Sequence, residues 1–314
     1  MAIYHLAVKS VSRSTGRSSV AAAAYRAGAL LVNDRDGLTH DYRGRGGVEA
    51  AFIVTPAGAD WAQDRSALWN AAEVAEKRKD AKTAREYELA LPAELDPDGR
   101  RQLVEAFAGH LAERYGVAVD AALHGPHDQG DARNHHAHVL TTTREVDADG
   151  LGAKTRQLDV RSTASEEVEH LREAWGGMVN QALERAGRDE RVDHRSYERQ
   201  GLDIEPTVKL GHASSALERR AARERPEGQE HRPVTPRGKL NALIQESRTL
   251  KLYVARGREW LRGVSERMKG LGLAGLFRGA GQVAREEQVS GNAGEGTALA
   301  PDTGLAAFGG QEAR

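Results

Sequence analysis

The sequence predicts an α+β fold: a mostly antiparallel central sheet with helices packed on one face, then a basic helical extension and a disordered tail. Three observations carry this reading. Segments that alternate apolar and polar residues are interleaved with segments of helical spacing, in the order strand, helix, strand, helix, strand, helix, strand, strand, helix. Turn-forming residues between strands make hairpins the shortest connections. Beyond residue 212 the alternation stops and the composition turns basic.

Taken in order, Ala2 to Lys9 is a strand, with Tyr4, Leu6 and Val8 on one side and His5, Ala7 and Lys9 on the other. After a polar loop, Ser18 or Ser19 is placed to cap a helix through Ala21-Ala22-Ala23-Ala24-Tyr25-Arg26. Asp34-Arg35-Asp36-Gly37 reads as a hairpin tip between Leu31-Val32 and Thr39 to Tyr42. Val48 to Thr55 is a strand stopped by Pro56, and Asp60 is placed to cap a helix carrying Trp61, Leu68, Trp69 and Val74. Ala84 to Leu91 alternates again: Tyr87, Leu89 and Leu91 face the core, while Glu86 and Glu88 share the other face. Asp96-Pro97 starts a helix that Gly116 ends, and a further helix from about Ser165 is stopped by Gly187.

Two strands stand between those helices. Gly116 to His124 is one, and the β-branched run after His138 marks the other. His136 and His138 lie on one face, roughly 7 Å apart at Cα. The turn-rich connection from Gly125 to Arg133 predicts a hairpin that brings His124 beside them. Three neutral imidazoles converging in this way make a metal site with open coordination positions. His127 and His135 are the spare ligands should the register differ by one residue.

The chain has 314 residues, no cysteine, a net charge of −1, 39% hydrophobic and 29% charged residues. The absence of cysteine excludes disulfides and thiolate-bound zinc or iron–sulfur sites, and fits a reducing compartment. The Ala-rich stretch from Val20 to Val32 contains Arg26 and is too short to span a bilayer, so a soluble protein is expected. Near-neutral charge means that any nucleic-acid surface is local. These signals divide the chain into residues 1–212, a basic helical extension over 213–270 and a Gly- and Ala-rich tail over 271–314.

On the predicted sheet, His5, Lys9, Glu86, Glu88, Asp120, His124, His136 and His138 gather on one open face. Ala7, Ala84, Ala90, Ala118 and Ala122 share it and leave room for a bulky ligand. Three function classes arise from the residues alone. A zinc-dependent hydrolase would use the histidines and an activated water. A non-catalytic nucleic-acid-binding sheet would rely on stacking aromatics, in which this face is poor. Tyr25, with Arg13, Arg17 and Arg26 nearby in sequence, allows a third: a tyrosine nucleophile attacking a phosphodiester beside a metal.

Met1-Ala2-Ile3-Tyr4-His5-Leu6, the Ser/Arg loop, Ala24-Tyr25-Arg26-Ala27-Gly28, Glu86-Tyr87-Glu88-Leu89-Ala90-Leu91-Pro92 and Asn134-His135-His136-Ala137-His138 occur in that order. Together they closely resemble the MobA/MobL family of plasmid mobilisation relaxases, within the wider histidine–hydrophobe–histidine endonucleases. The resemblance runs over about residues 1–212 and includes Arg191 to Tyr197. It implies a site- and strand-specific nickase acting at an origin of transfer. Tyr25 matches the nucleophile that becomes joined to the DNA 5′-phosphate; His124, His136 and His138 match the metal ligands. One of Glu86 and Glu88 would orient a histidine or assist proton transfer. Lys9, Arg13, Arg17, Arg26, Arg144 and Arg195 are the expected DNA contacts.

The implied cofactor is a divalent ion, Mg2+ or Mn2+, while imidazole ligands also suit Zn2+. The implied partners are single-stranded DNA at the origin, accessory mobilisation proteins and a conjugative coupling protein. The implied location is the bacterial cytoplasm, with passage to the recipient on bound DNA and no membrane insertion. Ala137 stands at the small end of the family's hydrophobic position. Larger relatives carry a helicase or primase after the relaxase; no Gly-x-x-x-x-Gly-Lys-Ser/Thr motif occurs in this sequence.

Overall fold

The computed structural model describes residues 3–127, 131–226, 229 and 232–270; the tail expected over 271–314 lies outside them. Five strands form the central sheet: β1 (Leu6–Ser12), β4 (Val48–Val54), β5 (Lys82–Ala90), β6 (Val119–His124) and β7 (His136–Thr142). Their order is β1-β5-β7-β6-β4 and every neighbouring pair is antiparallel. The expected hairpins form. β6 pairs with β7, and β2 (Leu30–Asn33) pairs with β3 (Leu38–Asp41) around a tip that ends on Gly37 at φ 70°.

α3 (Pro97–Tyr115) and α4 (Arg161–Arg185) pack on one face of the sheet. Leu103, Phe107 and Leu111 of α3 and Leu171, Trp175 and Leu183 of α4 close over Tyr87, Leu89, Val119, Leu123 and Val139. These strand residues are the odd members of each alternation, so Glu86, His124, His136 and His138 point the other way. α3 starts as its sequence signals: Asp96 accepts from the Gly99 amide at 2.7 Å, Pro97 follows, and Gly116 ends the helix at φ 63°.

The opposite face is open only at its histidine end. α1 (Ser19–Ala27) and α2 (Arg65–Ala75) lie over the rest, where Val20, Ala23, Ala24, Leu68 and Trp69 pack against Val11, Ala84, Ala118 and Leu140. Asp120, placed by alternation on an open surface, is therefore buried. It accepts two bonds from Arg65, at 2.8 and 2.9 Å, and one from the Trp69 indole at 2.9 Å. The strand pattern names the face but not which helix lands on it.

Three local expectations shift. Asp60 opens a separate 3-10 turn (Asp60–Gln63), and Asp64 caps α2 by accepting from the Ala67 amide at 2.7 Å. The stretch after β7, which the sequence reads as a loop before the last helix, is a hairpin, β8 (Arg144–Asp147) and β9 (Gly150–Lys154), turned by Asp147 accepting from the amides of Asp149 and Gly150. α4 begins at Arg161 after Val160, so neither Ser162 nor Ser165, the two caps the sequence offers, caps it. The basic stretch is helical as expected, in α5 (His212–Glu224) and α6 (Pro236–Gly270). Residues 1–238 form one compact unit and a second begins at Lys239. No described helix is long and apolar enough to cross a membrane.

Candidate metal centre and nucleophile

The β6–β7 register sets His124 directly opposite His136, while His138 lies between Ala122 on one side and Glu88 on the other. The three ring centroids are 5.1 to 5.4 Å apart. One ligand nitrogen from each ring lies within 4.8 Å of the others. Small neighbours make this possible: Ala90 and Ala122 flank the rings on the same face. His135 faces Glu49 instead, and neither His127 nor His135 joins the cluster.

Each ring has one nitrogen already engaged. His136 Nδ1 bonds the Asn134 carbonyl at 3.0 Å, His138 Nδ1 bonds the Glu86 carboxylate at 2.8 Å, and His124 Nε2 bonds the Arg26 carbonyl at 2.7 Å. An acceptor on one nitrogen puts the proton there and leaves the other lone pair free. Nε2 of His136 and His138 and Nδ1 of His124 are thus the available donors. Burial lowers His136 and pushes His124 down to about 4, so both are neutral at ordinary pH. Three imidazoles, each with one ring nitrogen engaged and the other turned to the cluster, fit a divalent metal ion with open positions.

Glu86 ties this centre to α1. It is 1% exposed, pairs with the Arg26 guanidinium, and stands 3.7 Å from Arg17. Burial alone would raise its carboxyl, but the bonds from His138 and Arg26 outweigh this and bring it down to about 2. Glu88 instead pairs with Lys9 at the partly exposed edge. Of the two carboxylates, Glu86 is the one that orients a histidine.

The last turn of α1 leaves carbonyls without helical partners. The Arg26 carbonyl accepts from His124 Nε2 and the Tyr25 carbonyl accepts from Arg45 at 2.6 Å. Ser18 caps the other end of the helix and Gly28, at φ 61°, terminates it. Tyr25 projects outward, 44% exposed, one residue before the arginine that touches both Glu86 and His124. It lines an open groove of about 890 Å³ together with Arg17, Arg35, Lys77 and Lys79.

The expected DNA contacts separate into two groups. Arg17 and Lys9 keep exposed guanidinium and ammonium groups at the site. Arg13 does not: its guanidinium bonds Glu73 and the carbonyls of Glu76 and Arg78, bracing the loop to α2. Arg26 is buried on Glu86, and Arg144 is held by Glu76 and the Gly152 carbonyl. Arg195 pairs with Asp193, in a segment whose His194 packs on Gly176 of α4, across the sheet from the histidines. Nearness to a motif in sequence suggests DNA contact for these four; the fold gives each a carboxylate partner, and Arg195 keeps an exposed side chain beside its own. Sequence reasoning missed Arg45, whose signal is a lone cation inside Gly44-Arg45-Gly46-Gly47.

A three-histidine centre on a sheet, with an exposed tyrosine on the adjoining helix, defines a class of metal-site proteins armed with a candidate nucleophile. The MobA/MobL family profile matches residues 17–220, and the chain belongs to that family. The mobilization protein MobL of Acidithiobacillus ferridurans is 41% identical over 250 residues, 71% of this chain and 66% of that protein. A probable mobilization protein MobA of Bifidobacterium longum is 32% identical over 70% of this chain and 45% of its own length. The chain thus spans at most about two thirds of these curated relatives. A solved structure presented as the molecular basis of vancomycin resistance transfer in Staphylococcus aureus is 29% identical, with a TM-score of 0.55, covering 62% of this chain and all of that one.

Proposed function

We propose that residues 1–212 form a relaxase domain that nicks one DNA strand at an origin of transfer and later rejoins it. The observation that carries this reading is Arg26, which follows Tyr25 and joins α1 to the metal histidines through Glu86 and His124. A nucleophile and a Lewis-acid site are thereby held on one rigid joint.

The Tyr25 hydroxyl gives up its proton and attacks phosphorus. The new bond is O–P, the bond that breaks is P–O3′, and its electron pair leaves on the 3′ oxygen, which takes up a proton. One phosphodiester replaces another, so no bond energy is lost to water and the step runs backwards to reseal the strand. When bound by His124, His136 and His138, a divalent ion supplies charge that draws on a non-bridging phosphate oxygen. Glu86 fixes the His138 ring and neutralises Arg26. Arg17 and Lys9 meet backbone phosphates, and the basic groove beside Tyr25 carries the strand onward. Single-stranded origin DNA is the substrate, accessory mobilisation proteins and a coupling protein are the partners, and the bacterial cytoplasm is the location.

An origin oligonucleotide labelled at its 3′ end tests this. It should migrate with the protein through denaturing electrophoresis, while a 5′-labelled one appears only as free product. Tyr25→Phe should bind DNA almost normally and give no adduct. A hydrolase would release both fragments and survive that substitution, and a binding module would cut neither.

A further inference from the structure

Arg45 takes no part in the metal centre or in the bond exchange, yet its half-buried side chain makes two contacts with one residue. Its Cζ lies 3.9 Å from the centroid of the Tyr25 ring, and its Nη1 donates to the Tyr25 carbonyl at 2.6 Å. The Tyr42 ring also meets Tyr25, edge to face, with centroids 5.1 Å apart and planes at 88°. The short loop that carries Arg45 is pinned at both ends. The Arg45 amide donates to the Tyr42 carbonyl at 2.9 Å, and the Gly47 carbonyl accepts from Gly125, the residue after His124, at 2.9 Å. Gly47 has φ 86°, which an L side chain would strain, so a sharply folded glycine turn sets the arginine in place.

Two facts give the contact meaning. A guanidinium is planar and stacks on an aromatic face, so it restricts both the tilt and the rotation of the ring. And phenolate, unlike phenol, carries a full negative charge spread over the ring, which a cation on its face favours. We propose that Arg45 is a positioning residue for the nucleophile, holding the Tyr25 ring in its attacking pose and serving as counter-charge while the hydroxyl gives up its proton. This rests on Tyr25 being the nucleophile.

The alternatives make different demands. A mere cap on the end of α1 would cost stability, and a phosphate-binding arginine would cost DNA affinity. The test is single-turnover adduct formation on a saturating origin oligonucleotide by the full chain, with Arg45→Ala and Arg45→Lys. The rate constant should fall about tenfold or more in Arg45→Ala, in line with the roughly 10²-fold penalty for misplacing a reacting group by about 1 Å. Oligonucleotide and Mn2+ affinity should stay within about threefold. Arg45→Lys, which keeps charge without the planar face, should fall between the two. In protein labelled with 3-fluorotyrosine, the 19F resonance lost in Tyr25→Phe should move in Arg45→Ala and stay sharp in the wild type.

A wild-type rate in Arg45→Ala, or a loss confined to DNA affinity, overturns the proposal. Should Arg45→Ala not fold, a wild-type rate in Arg45→Lys overturns it and a several-fold lower rate in folded protein supports it. Adduct formation by Tyr25→Phe would instead sink the nucleophile assignment, which keeps the two failures apart.

Discussion

Glu86→Gln attacks the joint between α1 and the three histidines. The carboxylate is buried, accepts a hydrogen bond from His138 Nδ1 at 2.8 Å and pairs with Arg26, itself 8% exposed. Glutamine keeps one acceptor but removes the charge, so Arg26 is left buried without a counter-ion. Bringing the carboxyl from its ordinary 4.5 down to about 2 corresponds to roughly 3 kcal/mol of native-state preference for the ionised form. Removing one partner of a buried ion pair costs about 3–5 kcal/mol, which agrees. The sign comes from the depressed carboxyl: its contribution is complete above pH 4.5 and is lost as pH falls towards 2. Urea unfolding of metal-free protein should therefore show the variant weaker by about 3 kcal/mol at pH 7. The gap should begin to close below pH 4.5 and vanish near pH 2. In parallel, Mn2+ titration should give about 10- to 100-fold weaker binding, because the His138 ring loses its ionised acceptor. Equal stability at pH 7 together with unchanged Mn2+ affinity would refute both the pairing and the tautomer argument.

Other expectations concern the histidines and the extension. Chelator should abolish cleavage, and His136→Ala should weaken metal binding by an order of magnitude or more; full activity in excess chelator would remove the metal from the mechanism. A fragment ending at Gly238, the limit of the first compact unit, should unfold cooperatively and still form the adduct. Without residues 239 onward it should bind DNA more weakly and with a shallower salt dependence. A non-cooperative transition by circular dichroism would mean that the first unit needs the second in order to fold.

Much of the fold was legible because its signals are periodic. Alternation in residues 84–91 sends Tyr87 and Leu89 one way and Glu86 and Glu88 the other, whatever packs on them. The hairpin of β6 and β7 comes from turn residues between two strands, and with it the meeting of His124 and His136. The hidden part depends on tertiary partners. Asp120 reads like Glu86, a polar residue on the site face, yet Arg65 and Trp69 bury it. Arg13 and Arg17 read alike in the loop, but only Arg13 meets Glu73 at 2.8 Å. Arg45 reaches Tyr25 through a loop fold that no local pattern announces.

Ala22, Ala23 and Ala24 let the backbone of α1 settle close to the sheet, near enough for the Arg26 carbonyl to reach His124 at 2.7 Å. Their missing atoms act as a depth stop. A bulkier side chain at Ala23 or Ala24 would have to lift the whole helix, and the tyrosine rides on that helix. The height of the Tyr25 hydroxyl above the three histidines is thus fixed by some of the smallest side chains in the sequence. The least eventful stretch of the sequence is where the site's machining tolerance is kept.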